Sequence, residues 1–531
     1  MKSILKNICV VCLAGLMMTG CTSGFEELNK NPLASTSLNP ELVFPFVTWR
    51  VTNIAWDNYQ CGDALGANLW AQYIANTSTG YSVDRYMYED GYAESGLWWP
   101  HFVWVMKNIK MVGSQIKENP NSIQTYQMMR ILLAYSSAKM TDLYGDLPYS
   151  EAGIGIEMPK YDTQKDIYND IFKELKEAVE VLQSGLKGQT GLGKSDFIYE
   201  GDVSKWIKFA NSLRLRCAIR LSFIDPEKAR QEGEAAIAAG VISSIDEGAT
   251  CLTNKDDWNS LGYPLITISH WNEFRVSATL VDILQHTGTV DDPRLSLYIG
   301  KTKVFMAEGK GEPYKGVPNG LPADQLSMPG NTVDENSNVH GLMFIPSWNT
   351  TGADPSGIWI SKRYPVMHYS EVCFLKAEAA LRGWGGFGNA KDNYEEGIRA
   401  SFAESREGVD AKLLDLTKDD TYIQTGNVAW DKATNFEEKL ERIITQKWIA
   451  IFPNGNEAWT EFRRTGYPKL KPVVRSDNPM IKPENNEFMK KIPYVDEERR
   501  INTAHSTDPS LNGGQGDGAH VRVWWDTKRY K

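Results

Sequence analysis

Positive charge is in short supply. The 531-residue chain carries 57 Lys and Arg against 67 Asp and Glu, a net charge of −10. Nucleic-acid binding needs concentrated positive charge, so this balance argues against it. Long apolar runs are missing beyond the N-terminus, and no later stretch reads as a transmembrane helix. Cysteine is scarce: of the 7, Cys9 and Cys12 lie in the N-terminal apolar run and Cys21 just after it, and the other four, Cys61, Cys217, Cys251 and Cys373, form no CxxC pair and no zinc spacing. A chain this long can build a core without a disulfide framework. Histidine is equally sparse, and the 7 are scattered; His101 and His368 lie in or beside helix-like segments and read as structural. HExxH and GxSxG are both absent, which removes the zinc-protease and serine-hydrolase signatures.

What the chain has in quantity is aromatic side chains: 17 Trp, 23 Tyr and 18 Phe, with every Trp after position 48. Apolar residues make up 42% and charged residues 23%, the composition of a chain that folds around a core. The indoles are therefore either packing or a recognition surface, and their positions have to decide.

The first twenty residues read as a signal peptide. Lys2 and Lys6 precede an apolar run from Ile8 to Met18. That run is too short for a bilayer, which takes about 20 residues, but suits export. Met18-Thr19-Gly20-Cys21 resembles the lipobox of bacterial lipoproteins, with Met18 where Leu is usual. The expectation is a signal peptide over 1–20, lipidation of Cys21, a tether over 21–40 and a single folded unit over 41–531. Of the cysteines left, Cys217 and Cys373 sit in apolar helical stripes and should be buried.

Helical periodicity dominates the rest. Ile167, Ile171, Phe172, Leu175, Val179 and Leu182 mark one amphipathic helix, with Thr163 and Asp166 placed to cap its start. Trp206, Ala210, Leu213, Cys217 and Leu221 form a second stripe. Asp225-Pro226 opens a third helix and Gly240 closes it. Phe374, Leu381, Ala390, Tyr394 and Gly397 approach the large-small spacing of a tetratricopeptide unit. Residues 251–276 and 300–365 lack this periodicity and read as irregular excursions with short strands, where function is usually carried. The Gly-rich stretch 507–518 reads as a surface loop.

One motif misleads. Gly188 to Ser195 satisfies G-x-x-x-x-G-K-[ST], yet a phosphate-binding loop needs a strand before it and a helix directly after. Here a helix precedes it and Asp196-Phe197-Ile198-Tyr199-Glu200-Gly201-Asp202 comes after, so a plain interhelical loop and no nucleotide are expected.

Several ordered blocks carry a resemblance. They are Phe25-Glu26-Glu27-Leu28-Asn29-Lys30-Asn31-Pro32, Asp142-Leu143-Tyr144-Gly145-Asp146-Leu147-Pro148-Tyr149, and Asp196 to Asp202 running into Trp206 to Arg216. Asp292-Pro293-Arg294-Leu295, Glu371 to Ala380 with Arg382-Gly383-Trp384, Asn454-Gly455-Asn456-Glu457 and Phe462-Arg463-Arg464-Thr465-Gly466 continue the series. Together the chain resembles the SusD/RagB family of outer-membrane lipoproteins. The resemblance implies a mainly α fold with about four tetratricopeptide-like helix pairs supporting an irregular, loop-rich ligand-binding region with a few short strands. It implies a surface lipoprotein held to the outer membrane by lipid alone. It also implies a SusC-like TonB-dependent transporter as partner, an oligosaccharide or in some members a peptide as ligand, and no catalysis. Asp142, Tyr144, Asn211, Arg214 and Arg216 within the motifs read as structural polar groups.

A sugar offers an apolar face and a rim of hydroxyls, so a binding loop should mix flat rings with planar polar groups. Trp206, Trp384, Trp448 and Trp459 lie on motif helices and read as core, as do Trp98, Trp99 and Trp104. Four loop sets have the required mixture: Tyr81, Arg85 and Tyr86; Asp257, Trp258 and Asn259; Trp271, Asn272 and Arg275; and Trp348 and Asn349 with Trp359. From these, Trp271, Trp348 and Tyr81 are expected to share one aromatic platform. No cofactor is expected. The acidic loops leave room for a structural Ca2+, although no EF-hand spacing is present. Two other readings stand behind this one: a surface-anchored glycoside hydrolase, with Asp256-Asp257 as its best carboxylate pair, and a helical scaffold that binds only proteins.

Overall fold

Short polar caps open six of the nine long helices described below. In the computed structural model, which describes residues 38–52, 58–252, 265, 268–339 and 363–529, helix α1 spans Pro40–Val51 and α2 spans Ile123–Tyr144. Thr163 caps α3, Gln164–Gln183, by accepting from the Asp166 amide, and the apolar stripe read from sequence is its buried face. Asp202 caps α4, Val203–Arg220. Asp225 caps α5, Pro226–Ala239, and Gly240 ends it at φ 91°, a conformation that favours glycine. α6 is Tyr369–Leu381 and α7 is Ala390–Arg406. Asn435 and Asn454 cap α8, Phe436–Ala450, and α9, Gly455–Thr465.

These helices form four sequential pairs: α2 with α3, α4 with α5, α6 with α7 and α8 with α9. α4 packs on both α3 and α6, and α6 on α8, so the pairs lie side by side. The protein is mainly helical, as the residues and the resemblance both imply. The tetratricopeptide-like spacing in α6 and α7 has a direct cause. Gly397 lies against the Phe374 ring, where an added Cβ would come within 2.8 Å of the ring edge. Small meets large because a larger residue has no room. Gly397→Val is expected to lower stability by about 2–3 kcal/mol through this overpacking, measurable as a shift in the guanidinium midpoint with unchanged slope.

Trp206, Trp384, Trp448 and Trp459 are all buried. Trp98 is buried too, but Trp99, read as core, is 39% exposed and donates its indole N–H to Glu497 (3.0 Å). Cys61, Cys217, Cys251 and Cys373 are buried. The false phosphate-binding loop lies between α3 and α4, with no strand ahead of it. The Asp196 carboxylate organises the turn that leads into α4, accepting from the amides of Ile198 (2.9 Å) and Gly201 (2.9 Å) and from the Trp206 indole (2.7 Å). The stretch 507–518 is more tightly held than a surface loop. Asn512 is buried and exchanges two hydrogen bonds with Asp146, at 3.1 and 2.7 Å.

The pairs are tied together by buried charge. Arg220 on α4 meets Asp142 on α2 (3.3 Å) and both Glu457 (2.6 Å) and Glu461 on α9. Arg464 bridges Glu461 and Glu378 of α6, both at 2.6 Å. Lys447 on α8 reaches Glu457 (2.8 Å) and Glu371 (3.5 Å), and Arg216 holds Glu371 (2.7 Å). Burial raises the Glu457 pKa, but Arg220, Lys447 and Arg216 outweigh it and hold the carboxyl down at about 2. Asp142 and Arg216, read from sequence as members of a buried network, are both in this hub.

Among the described residues there are three two-stranded antiparallel sheets. β1, Ile74–Asn76, pairs with β5, Phe274–Val276. β2, Leu147–Pro148, pairs with β3, Tyr161–Asp162. β4, Ala249–Cys251, pairs with β6, Tyr364–Met367. The first of these sheets positions the candidate site.

Candidate ligand-binding site

β1 and β5 lie almost 200 residues apart in sequence, and their pairing sets Asn76 opposite Phe274. The loop after β1 and the turn before β5 therefore run side by side. The Thr77 amide donates to the Glu273 carbonyl (3.0 Å), and the Thr77 hydroxyl to the Asn272 carbonyl (2.6 Å). Two of the four loop sets read from sequence, those of Tyr81 and Trp271, are thus brought to one end of one sheet.

Each loop is braced from within. Asn76 Nδ2 donates to the carbonyls of Ser78 (2.9 Å) and Tyr81 (2.9 Å), and its Oδ1 accepts from the Ser78 amide (3.0 Å). One Asp84 oxygen accepts from the amides of Asn76 (3.1 Å) and Gly320 (2.9 Å). Burial raises the Asp84 carboxyl to about 6 against those two bonds. A carboxyl raised in the folded state is most favourable when protonated, so its contribution is complete below about pH 4 and is lost as the pH rises towards 6. Asp84→Asn is expected to flatten the fall in stability across that window, a difference of about 2–3 kcal/mol read from denaturant midpoints at stepped pH.

Tyr81 is half-buried and tilted by 45° against Tyr92, with ring centroids 5.9 Å apart. The Tyr92 hydroxyl donates to the Tyr81 hydroxyl (3.1 Å). Trp271 stands at the tip of its turn, 55% exposed. Asn272 beside it adopts φ 65°, a conformation Asn tolerates better than most residues. Its side-chain oxygen accepts from Arg275 (2.6 Å), which also donates to the carbonyls of Ser269 (2.8 Å), Phe274 (2.8 Å) and Val333 (3.0 Å).

Three of the residues read as ligand contacts are therefore corrected. Arg275 is buried, with its guanidinium turned inward onto Asn272 and the carbonyls of Ser269, Phe274 and Val333. Arg85 is buried against Asp477 (2.7 Å) and the Leu321 carbonyl (3.1 Å). Tyr86 is buried as well, at φ 67° in the turn that closes the loop. Charged and aromatic side chains in a loop look alike in sequence whether they brace it or project from it. Asn272 is exposed. Asp257, Trp258, Asn259, Trp348, Asn349 and Trp359 lie outside the described residues. The sequence reading missed Tyr92 and Glu273. Tyr92 follows Gly91 in the tyrosine-rich run from Tyr81, which was the available signal; Glu273 becomes visible only through the strand pairing.

A larger hollow of about 600 Å3 lies beside β4 and β6. Its described lining carries both signs of charge, including Lys205, Arg363 and Glu407, but its only rings are the His368 imidazole and that of Tyr199, whose hydroxyl donates to the Glu247 carbonyl (2.8 Å). It offers no paired flat faces for a sugar. Among the described residues no cluster of His, Cys, Asp and Glu is placed to hold a metal ion.

With the fold and this sheet end in view, comparison with known proteins is decisive. The model for SusD-like proteins, the SusD and RagB outer membrane lipoproteins, matches residues 26–526. The chain belongs to the SusD/RagB family. A chitin-binding SusD homologue from Flavobacterium johnsoniae is 30% identical, with a TM-score of 0.74 over 92% of this chain and 99% of that one. A SusD homologue from Bacteroides uniformis is 28% identical, also at 0.74, over 92% and 99%. One from Parabacteroides distasonis shares the fold at TM-score 0.79 and 24% identity, over 92% and 98%. A search of curated proteins returns no match. The family is one of outer-membrane lipoproteins, and no helix among the described residues is long and apolar enough to cross a membrane.

Proposed function

We propose that this protein captures oligosaccharides at the cell surface and delivers them, without cleaving them, to a SusC-like TonB-dependent transporter. The observation that carries the reading is the β1–β5 pairing, which joins the Tyr81–Tyr92 pair to exposed Trp271 at one sheet end. Flat rings cover the apolar face of a pyranose, and the flanking hydroxyls and amides address its rim. The chitin-binding relative from Flavobacterium johnsoniae supports a carbohydrate ligand. Lipidation at Cys21 supplies the attachment, leaving the folded unit outside the bilayer.

A glycan array probed with the mature chain tests this reading. Retention of a glycan family, with no reducing sugar released, is the expected result. Release of reducing sugar points instead to a hydrolase. Co-purification of a transporter with no glycan retained points to a protein-binding scaffold.

A further inference from the structure

Two carboxylates at this site have a buried oxygen without a donor, Asp84 and Glu273; the other oxygen of Asp84 is held by the Asn76 and Gly320 amides. Glu273 follows the Trp271–Asn272 turn and lies opposite Thr77, yet its Oε2 is shielded from solvent and takes part in no hydrogen bond. The nearest cation in sequence, Arg275, has its donors committed to backbone carbonyls and to Asn272. Burial is the main cause raising the Tyr92 pKa, with Tyr81, Cys61 and, least, Glu273 adding to it, so this carboxylate lies within electrostatic reach of the Tyr92 ring.

A shielded carboxylate oxygen without a donor is unfavourable, and a donor that arrives with a ligand relieves the penalty. A neutral sugar supplies a hydroxyl. A protonated amine supplies a charge-assisted bond, about twice as strong, and the same cation is attracted to the faces of Trp271, Tyr81 and Tyr92. We propose that Glu273 makes the site selective for glycans bearing a charged amino group, an amino-sugar oligomer over its neutral counterparts. This rests on the glycan-binding reading above.

The test is calorimetry of the mature chain with three β-linked hexamers, of glucosamine, N-acetylglucosamine and glucose, at a pH where the amine is protonated. The glucosamine hexamer is expected to bind about tenfold more tightly than the other two, as one charge-assisted bond implies. Glu273→Gln keeps the shape, removes the charge and should bring the three affinities together. The inference is overturned if the wild type binds all three alike or none, or if the preference survives in Glu273→Gln. Trp271→Ala separates the two levels. If it weakens every hexamer while the wild type shows no amine preference, the glycan reading stands and the Glu273 assignment falls. If it changes nothing, the binding face lies away from this turn and the Glu273 assignment falls with it.

Discussion

Arg220→Ala is expected to leave the protein unfolded or close to it. Arg220 is 2% exposed and stands among Asp142, Glu457 and Glu461. A buried ion pair contributes little compared with a well-packed apolar substitute. Removing one partner is different, because it strands the other charge without water and costs about 3–5 kcal/mol. Here one truncation strands part of three carboxylates, against a total stability of about 5–15 kcal/mol. Guanidinium unfolding checks the prediction, and a variant with the wild-type midpoint would remove the hub from the account of stability. The acid limb gives a second readout. The folded pKa of Glu457, about 2, lies below its ordinary value near 4.5. Its contribution is complete above about pH 4.5 and is lost as the pH falls towards 2. Arg220→Lys keeps one charge but loses the fork that reaches three partners, and should fall between wild type and Ala.

Trp271→Ala is expected to cost most of the glycan affinity and little of the stability. A ring that anchors a ligand at the centre of its site is worth about 2 kcal/mol or more, near 30-fold in Kd. The indole is already 55% exposed in the folded chain, so its loss leaves no core cavity. Surface substitutions of this kind stay within about 0.5 kcal/mol. Calorimetry against a glycan retained on the array, paired with a thermal melt, distinguishes the two effects. Unchanged affinity with unchanged melting would move the binding face away from this turn.

Helices that carry their own punctuation were legible. Thr163, Asp225-Pro226 and Gly240 mark boundaries that the structure keeps to the residue. The large-small pattern of Phe374 and Gly397 is a packing contact that spacing alone could suggest. The site was only half legible. Tyr81 and Trp271 were readable as loop aromatics, but their adjacency depends on a strand pairing across almost 200 residues, for which local periodicity holds no signal. Arg85 and Arg275 were misread for a related reason. A long cationic side chain can turn inward to hold carbonyls or outward to meet a ligand, and only the fold decides which.

The hub also changes what kind of helical array this is. In an open repeat array each unit touches only its neighbours, so stability is close to a sum along the chain, and end units can fray or be deleted. Here α2, α4, α6, α8 and α9 each place a charge in one shared buried cluster. Detaching any pair strands charges belonging to the others. The array is thereby closed into one cooperative body, and no pair within it can be trimmed away to leave a smaller folded protein.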